Sequence, residues 1–359
     1  MLSEEKIKSV LNEKVTILRD RIIEAMTESP NAIYLVGGYG RGEGAWYEDE
    51  LGIHPYNDFD LAIITETPLP HDKTEILRKE LAMNVGIKWV DIDYYSVKAL
   101  TSMTPTIHNV DLLEGGTLIY GEDIIKQNAI SLDKQYIGKL DVITLYRTRM
   151  WTFLGSWKGE FHQLSIDEAR FFKNQMAKAV LAACDMRLIK LHKYTTSYRR
   201  RAKLVIEEFV SDTNMIELVE WAINEKMRPS NSEMMQTEME SLYFRVKSLF
   251  VDSFAYALGD DAKYFLNPEM TMKYYFYHTK VYLFHIYSLL RYHKSTIKRA
   301  QDVFYAMNYV FHANNFGRIN PIYLKKTSSF LMKHKYINQP NNSWDELRLL
   351  TASARNDCS

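Results

Sequence analysis

Cysteine is nearly absent from this chain of 359 residues: Cys184 and Cys358 are the only two, far apart, with one in the terminal tail. That leaves no basis for a disulfide framework or a cysteine-built zinc site. Net charge is missing too, with 45 lysines and arginines against 45 aspartates and glutamates. Such balance argues against a dedicated, strongly basic nucleic-acid binder, though it allows a local patch. No apolar run approaches the roughly 18 residues that a membrane span needs, and the charged, amphipathic N-terminus has no signal-peptide core. The cytoplasm is therefore the expected compartment. The ten histidines are scattered without metal-ligand spacing, and His54 reads as an exposed loop residue. No repeat of fixed period and no low-complexity tract occurs.

Glycine is sparse as well, 15 in all, yet five fall between Gly37 and Gly44. The β-branched and aromatic run Ala32 to Val36 leads into them. A polar insertion follows, and then Asn57-Asp58-Phe59-Asp60-Leu61 opens a second apolar run. A strand has period two, so Asp58 and Asp60 point to one face and can share a metal ion. Mg²⁺ prefers carboxylate oxygens and usually takes one or two of them plus substrate phosphates. Glycines let a backbone approach a polyphosphate closely, and an N–H-lined turn favours negative charge. Turn and aspartates together describe a site for a nucleoside triphosphate and its metals. Further along, Trp89-Val90-Asp91-Ile92-Asp93-Tyr94-Tyr95 sets two more acids in an apolar strand. Clustered, partly buried carboxylates repel one another, and a divalent metal resolves that conflict.

Gly37-Gly38-Tyr39-Gly40-Arg41-Gly42-Glu43-Gly44, followed by Asp58-Phe59-Asp60, resembles the nucleotidyltransferase superfamily that includes DNA polymerase beta. The family pattern is a hydrophobic strand, a Gly-Gly or Gly-Ser turn often continuing into Arg-Gly, then Asp-x-Asp, then a third acid on a later strand. The resemblance covers residues 33 to 95. The gap from Gly44 to Asn57 is longer than in compact members, which implies an inserted loop overhanging the site. Leu112 to Tyr120 followed by Gly121 is similar to the close of many such domains. The resemblance implies Asp58, Asp60 and Asp91 as catalytic residues and ligands of two Mg²⁺ ions, with Mn²⁺ as a substitute. Asp91 fits the register better, and Asp93 on the same strand face stays as the alternative. Gly37 and Gly38 would hold the triphosphate through their backbone. Arg41 would pair with phosphate, or instead form a salt bridge to Glu43 or another acid. The implied reaction moves a nucleoside monophosphate, AMP from ATP being expected, onto an acceptor. A small hydroxylated molecule is the expected acceptor, by similarity in layout to aminoglycoside nucleotidyltransferases. RNA or protein acceptors, in toxin- or defence-like use, and a non-catalytic nucleotide-binding regulator are the alternatives.

The element pattern predicts an α+β protein: a small mixed-sheet nucleotidyltransferase domain over residues 1–128, a helical acceptor-binding domain over 129–351, and a loose tail over 352–359. Helical spacing runs over 3–28, and strands are expected over 32–36, 59–65 and 86–97, with a helix from Asp72 to Asn84 between the last two. Beyond Asp133, helices are expected near 135–157, 165–192, 212–226, 231–257, 271–292 and 295–311. Leu181, Cys184, Leu188 and Leu191 form one apolar stripe; Leu249, Phe250, Phe254 and Leu258 form another. Tyr198-Arg199-Arg200-Arg201 with Lys203, preceded by Lys190, His192 and Lys193, is the only dense basic run. It reads as a solvated helix start, with a grip on phosphate or single-stranded RNA as its functional alternative.

Overall fold

The computed structural model describes residues 4–128, 130–157, 163–270 and 294–356. The chain starts with α1 (Glu4–Ala25), β1 (Ala32–Val36) and a single helical turn α2 (Gly37–Gly40). A hairpin of β2 (Trp46–Asp49) and β3 (Gly52–Pro55) follows, then β4 (Phe59–Ile64), α3 (His71–Val85) and β5 (Val90–Tyr95). Next come α4 (Val97–Thr101), α5 (Ile107–Gly115), β6 (Thr117–Gly121) and α6 (Ile124–Gln127). Then run α7 (Lys139–Ser156), β7 (Gln163–Leu164), α8 (Ile166–Lys190), α9 (Tyr198–Glu208) and α10 (Thr213–Met227). The rest comprises β8 (Met234–Met235), α11 (Gln236–Leu258), α12 (Lys263–Leu266), α13 (Lys294–Ala313), β9 (Asn314–Asn315), β10 (Arg318–Ile319), α14 (Pro321–Lys333) and α15 (Trp344–Asn356). The fold class is α+β, as the pattern predicts.

Contacts divide the chain into two units, one of Met1–Gly138 with Leu191–Asn231, the other of Lys139–Lys190 with Ser232–Ser359. The first is built on a four-stranded mixed sheet in the order β5-β4-β1-β6. β1 is antiparallel to both β4 and β6, and β4 is parallel to β5. A parallel pair needs a crossover connection, and α3 supplies it. Period-two alternation divides the sheet's side chains between two cores. Ile33, Leu35, Phe59, Leu61, Ile63, Val90 and Ile92 pack with Leu18 and Ile22 of α1 and Leu77 and Leu81 of α3. Ala32, Tyr34, Ala62 and Ile64 pack instead with Leu100, Leu112, Leu113, Ile124 and Ile125. Burial of β1 and β4 at every position but Val36 and Asp60 explains why their sequences are apolar apart from that aspartate.

In the second unit α8 packs along α11 and against α7, while α13 packs on α14 and α15. The expected stripe residues Leu181, Cys184 and Leu188 are buried, as are Leu249, Phe250, Phe254 and Leu258. Tyr146 stacks on Phe254 at 4.0 Å between ring centroids, and Phe153 meets Tyr243, Phe250 and Phe311. The tyrosine-rich helices thus form an aromatic core. The described residues contain no helix long and apolar enough to cross a membrane.

Several expectations need correction. The insertion between Gly44 and Asn57 contains a β-hairpin, β2–β3, with Trp46 buried at its base. The run Leu112 to Tyr120 is the end of α5 and most of β6, divided at Gly116. The last helix continues through Asn356, with Ala352 and Ala354 buried, so the expected loose tail is helical over its first five residues. The expected helix at 271–292 lies outside the described residues.

Candidate functional site

The candidate site lies where β1 ends and β4 and β5 begin. Val36 of β1 is paired with Asp60 of β4, and Asp60 is paired across the parallel ladder with Asp91 of β5. Asp60 and Asp91 therefore stand side by side on one sheet face, both half-buried. Asp93 is opposite Ala62, two residues further along, and is exposed. Asp58 sits one residue ahead of β4 rather than within it, also half-buried. The ladder thus sets Asp91 beside Asp60 and leaves Asp93 two residues further along β5. Trp89 Nε1 donates to Asp91 Oδ1 at 2.6 Å, fixing that carboxylate.

Gly37 closes the site from β1. Its φ is +62°, in the left-handed region, and a Cβ there would lie 1.9 Å from Asp60 Oδ2. A side chain is excluded twice, by conformation and by the carboxylate that crosses its Cα. Gly38 is less constrained: a Cβ would meet the Glu43 carbonyl oxygen at 3.3 Å. Gly40 packs its Cα against strand backbone, where a Cβ would be 2.2 Å from the Leu35 carbonyl oxygen. Tyr39 is buried under the turn. Its hydroxyl donates to the Ala45 carbonyl at 2.8 Å and accepts from the Tyr56 N–H at 3.1 Å. Burial foremost, then the Asp58 and Asp60 charges, push the Tyr39 phenol above its ordinary range. Both aspartates are thus close enough to Tyr39 to act on it electrostatically.

Arg41 adopts the second of its two expected arrangements. Its side chain is 5% exposed, with Nη1 at 3.2 Å from Asp111 Oδ2 and Nε at 3.9 Å from Glu43 Oε2. The guanidinium lies over the Tyr198 ring at 4.7 Å. It ties the glycine turn to Asp111 of α5 and the Tyr198 ring of α9. Asp111 also accepts from Tyr194 Oη at 2.8 Å and from Arg201, whose side chain is 2% exposed. Sequence reasoning had no access to Asp111, Tyr194 or Arg201 as partners, because 70 or more residues separate them from the turn or from each other.

The basic run divides accordingly. Arg201 is buried, Arg199, Arg200 and Lys203 are exposed at the start of α9, Lys193 pairs with Glu208, and Lys203 pairs with Glu207. His54 belongs to the hairpin and bonds Asp49 across it at 2.9 Å.

Among the described residues no group of three or more His, Cys, Asp or Glu side chains is gathered as a ready metal site. The donor chemistry still fits a hard divalent cation. Asp60 and Asp91 are adjacent carboxylates, Asp58 is two residues away, and Mg²⁺ commonly completes its shell with phosphates and water. No protein-family model matches the chain, and no curated protein matches it.

Proposed function

We propose that this protein is a Mg²⁺-dependent nucleotidyltransferase, moving a nucleoside monophosphate from a triphosphate, ATP in the first instance, to an acceptor hydroxyl. The observation that carries the reading is the cross-strand pair Asp60–Asp91 with Asp58 beside it and the Gly37 backbone pressed against Asp60. A bound cation would relieve the repulsion between the paired carboxylates of Asp60 and Asp91 beside a glycine turn in the left-handed region.

Each residue then has a role. Asp58 and Asp60 would hold the metal, with Asp91 completing the acidic edge. Mg²⁺ supplies charge neutralisation for the triphosphate and acidifies the attacking hydroxyl. The Gly37 and Gly38 backbone would lie alongside the phosphates, in a turn whose shape side chains would disturb: a Cβ would strike Asp60 at Gly37 and crowd the Glu43 carbonyl at Gly38. Trp89 fixes Asp91 Oδ1, so Oδ2 is the atom assigned to orient the acceptor hydroxyl and take its proton. The new bond joins acceptor oxygen to the α-phosphorus, the bond from the α-phosphorus to the β-bridging oxygen breaks, and pyrophosphate leaves. A small hydroxylated acceptor is favoured over RNA, since Arg201, the last arginine of the basic run, is buried in an ion-pair cluster, and Lys193 and Lys203 pair with glutamates.

Calorimetric titration of ATP with and without Mg²⁺ tests the reading in wild type, Asp58→Asn and Asp60→Asn. Mg²⁺-supported binding is expected in wild type and should be lost in both variants. Unchanged binding in both would overturn the site. Labelled triphosphates offered to pooled small molecules, tRNA and protein then show which class takes up the label.

A further inference from the structure

A buried four-charge cluster stands behind the glycine turn. Glu43, 6% exposed, accepts from Ser197 Oγ at 2.8 Å, from the Tyr198 N–H at 2.7 Å and from the Arg199 N–H at 3.1 Å. These amides belong to the first turn of α9, which a helix leaves without partners of its own. Ser197 is the N-cap of α9, and Glu43, 154 residues away, accepts from the amides that Ser197 does not reach; a carboxylate at a helix N-terminus is favoured by the helix dipole. Arg201 Nε donates to the Thr195 carbonyl at 2.5 Å, and its guanidinium lies over the Tyr194 and Tyr198 rings at 4.7 and 4.9 Å. The Tyr198 ring lies against both Arg41 and Arg201. Two guanidinium groups and two carboxylates pair within the cluster, and buried Lys226 is a further cation against the Tyr198 ring at 5.8 Å.

We infer that Glu43 is a positioning residue for the nucleotide site: it fastens the glycine turn to the N-terminus of α9, and nucleotide affinity depends on that fastening. The inference rests on the function proposed above. The mechanical path is short. The Glu43 N–H donates to the Gly38 carbonyl at 2.8 Å and the Arg41 N–H to the Gly37 carbonyl at 3.3 Å. Moving Glu43 therefore moves the backbone of Gly37 and Gly38. Gly37 in turn is in contact with the Asp60 carboxylate. Residues 191–231, which belong to the same unit, serve on this account as backing for the phosphate turn.

The test is Glu43→Gln, which keeps the size of the side chain but removes its charge and replaces one accepting oxygen with an N–H donor group. Two readouts are taken: hydrogen exchange at the amides of residues 37–44 and 197–200, and Mg²⁺-ATP binding with the KM-against-kcat split. Expected are faster exchange in both segments together, ATP affinity weaker by about tenfold, and kcat largely retained, as loss of a charge-assisted contact remote from the reacting atoms should give. Unchanged exchange over 37–44 in a folded Glu43→Gln overturns the fastening. Wild-type ATP affinity in that variant overturns its link to the nucleotide. Failure of the wild type itself to bind Mg²⁺-ATP refutes the proposed function instead, while the exchange arm still decides the fastening. Should Glu43→Gln not fold, Ser197→Ala removes one of the three donors and also the cap that Ser197 Oγ gives the Arg200 N–H, so there the deciding readout is exchange over 37–44: faster exchange supports the fastening and unchanged exchange overturns it.

Discussion

Gly37 and Gly42 have nearly the same backbone, φ +62° and +70°, but different surroundings. A Cβ on Gly37 would run into Asp60 Oδ2 at 1.9 Å, whereas a Cβ on Gly42 would meet nothing within 4 Å. Gly42→Ala should therefore cost only left-handed strain, on the order of 1–2 kcal/mol, and leave Mg²⁺-ATP binding intact. Gly37→Ala adds the displacement of a site carboxylate, so it should lose more stability by urea denaturation and also lose nucleotide binding. Equal binding by the two variants would separate the turn from the phosphate site. The third acid is a second case at this scale. Asp91 shares its register with Asp60, while Asp93 faces Ala62 and is exposed. Asp91→Asn should abolish single-turnover label transfer while largely sparing nucleotide binding, the pattern of a group acting chiefly in the transition state. Asp93→Asn should be milder. Loss of transfer in Asp93→Asn alone would reverse the assignment.

At the scale of elements, Tyr39 shows how a turn is held. Its buried hydroxyl bridges the Ala45 carbonyl and the Tyr56 N–H, the two ends of the hairpin insertion. Tyr39→Phe removes both bonds but leaves the Tyr56 N–H donating to the Ala45 carbonyl at 2.9 Å, so it should cost only the net worth of a made hydrogen bond, roughly 0.5–1.5 kcal/mol in chemical denaturation. A cost near zero would mean that water replaces the hydroxyl. Nothing in the sequence around Tyr39 announces this role, because the partners are set by the return of the chain after the hairpin. The elements that were legible had strong local patterns: the apolar runs of β1 and β4, and helices such as Ile166–Lys190 and Gln236–Leu258. Those that were not legible were short or polar. The β2–β3 hairpin has mixed burial and few residues per strand, and α4 and α5 are five and nine residues long, with too few turns to show a period. The acids and glycines of the candidate site were readable because all lie within one supersecondary segment. Their backing by Asp111, Tyr194, Ser197 and Arg201 was not, since it depends on contacts between distant parts of the chain.

At the scale of the whole molecule, the expectation of one boundary near residue 128 meets a chain whose first unit takes in Leu191–Asn231 as well. Tyr194, Ser197 and Arg201 of that segment join the ion-pair cluster behind the glycine turn, which composition alone could not reveal. The second unit holds a histidine that should make stability pH-dependent. His312 is half-buried there, with Nε2 at 2.8 Å from the Tyr146 hydroxyl. Burial, and secondarily the nearby Lys247 charge, hold its pKa down at about 3, against an unfolded value near 6.5. Between those values the unfolded chain binds the extra proton, so stability rises with pH there and falls on acidification, by at most ~1.4 kcal/mol per pH unit for this one group. The Lys247 pKa is lowered to about 7, so its own linkage lies above that window and does not obscure it. His312→Gln keeps a polar partner for Tyr146 without a titrating group. It should be less stable than wild type at pH 7, and the gap should shrink steadily as the pH falls from 6.5 toward 4. The measurement is urea unfolding at a series of pH values, with hydrogen exchange of the amides near Phe311 and His312 to assign the transition to the second unit. A gap that stays constant across that range would show that His312 does not supply the acid limb.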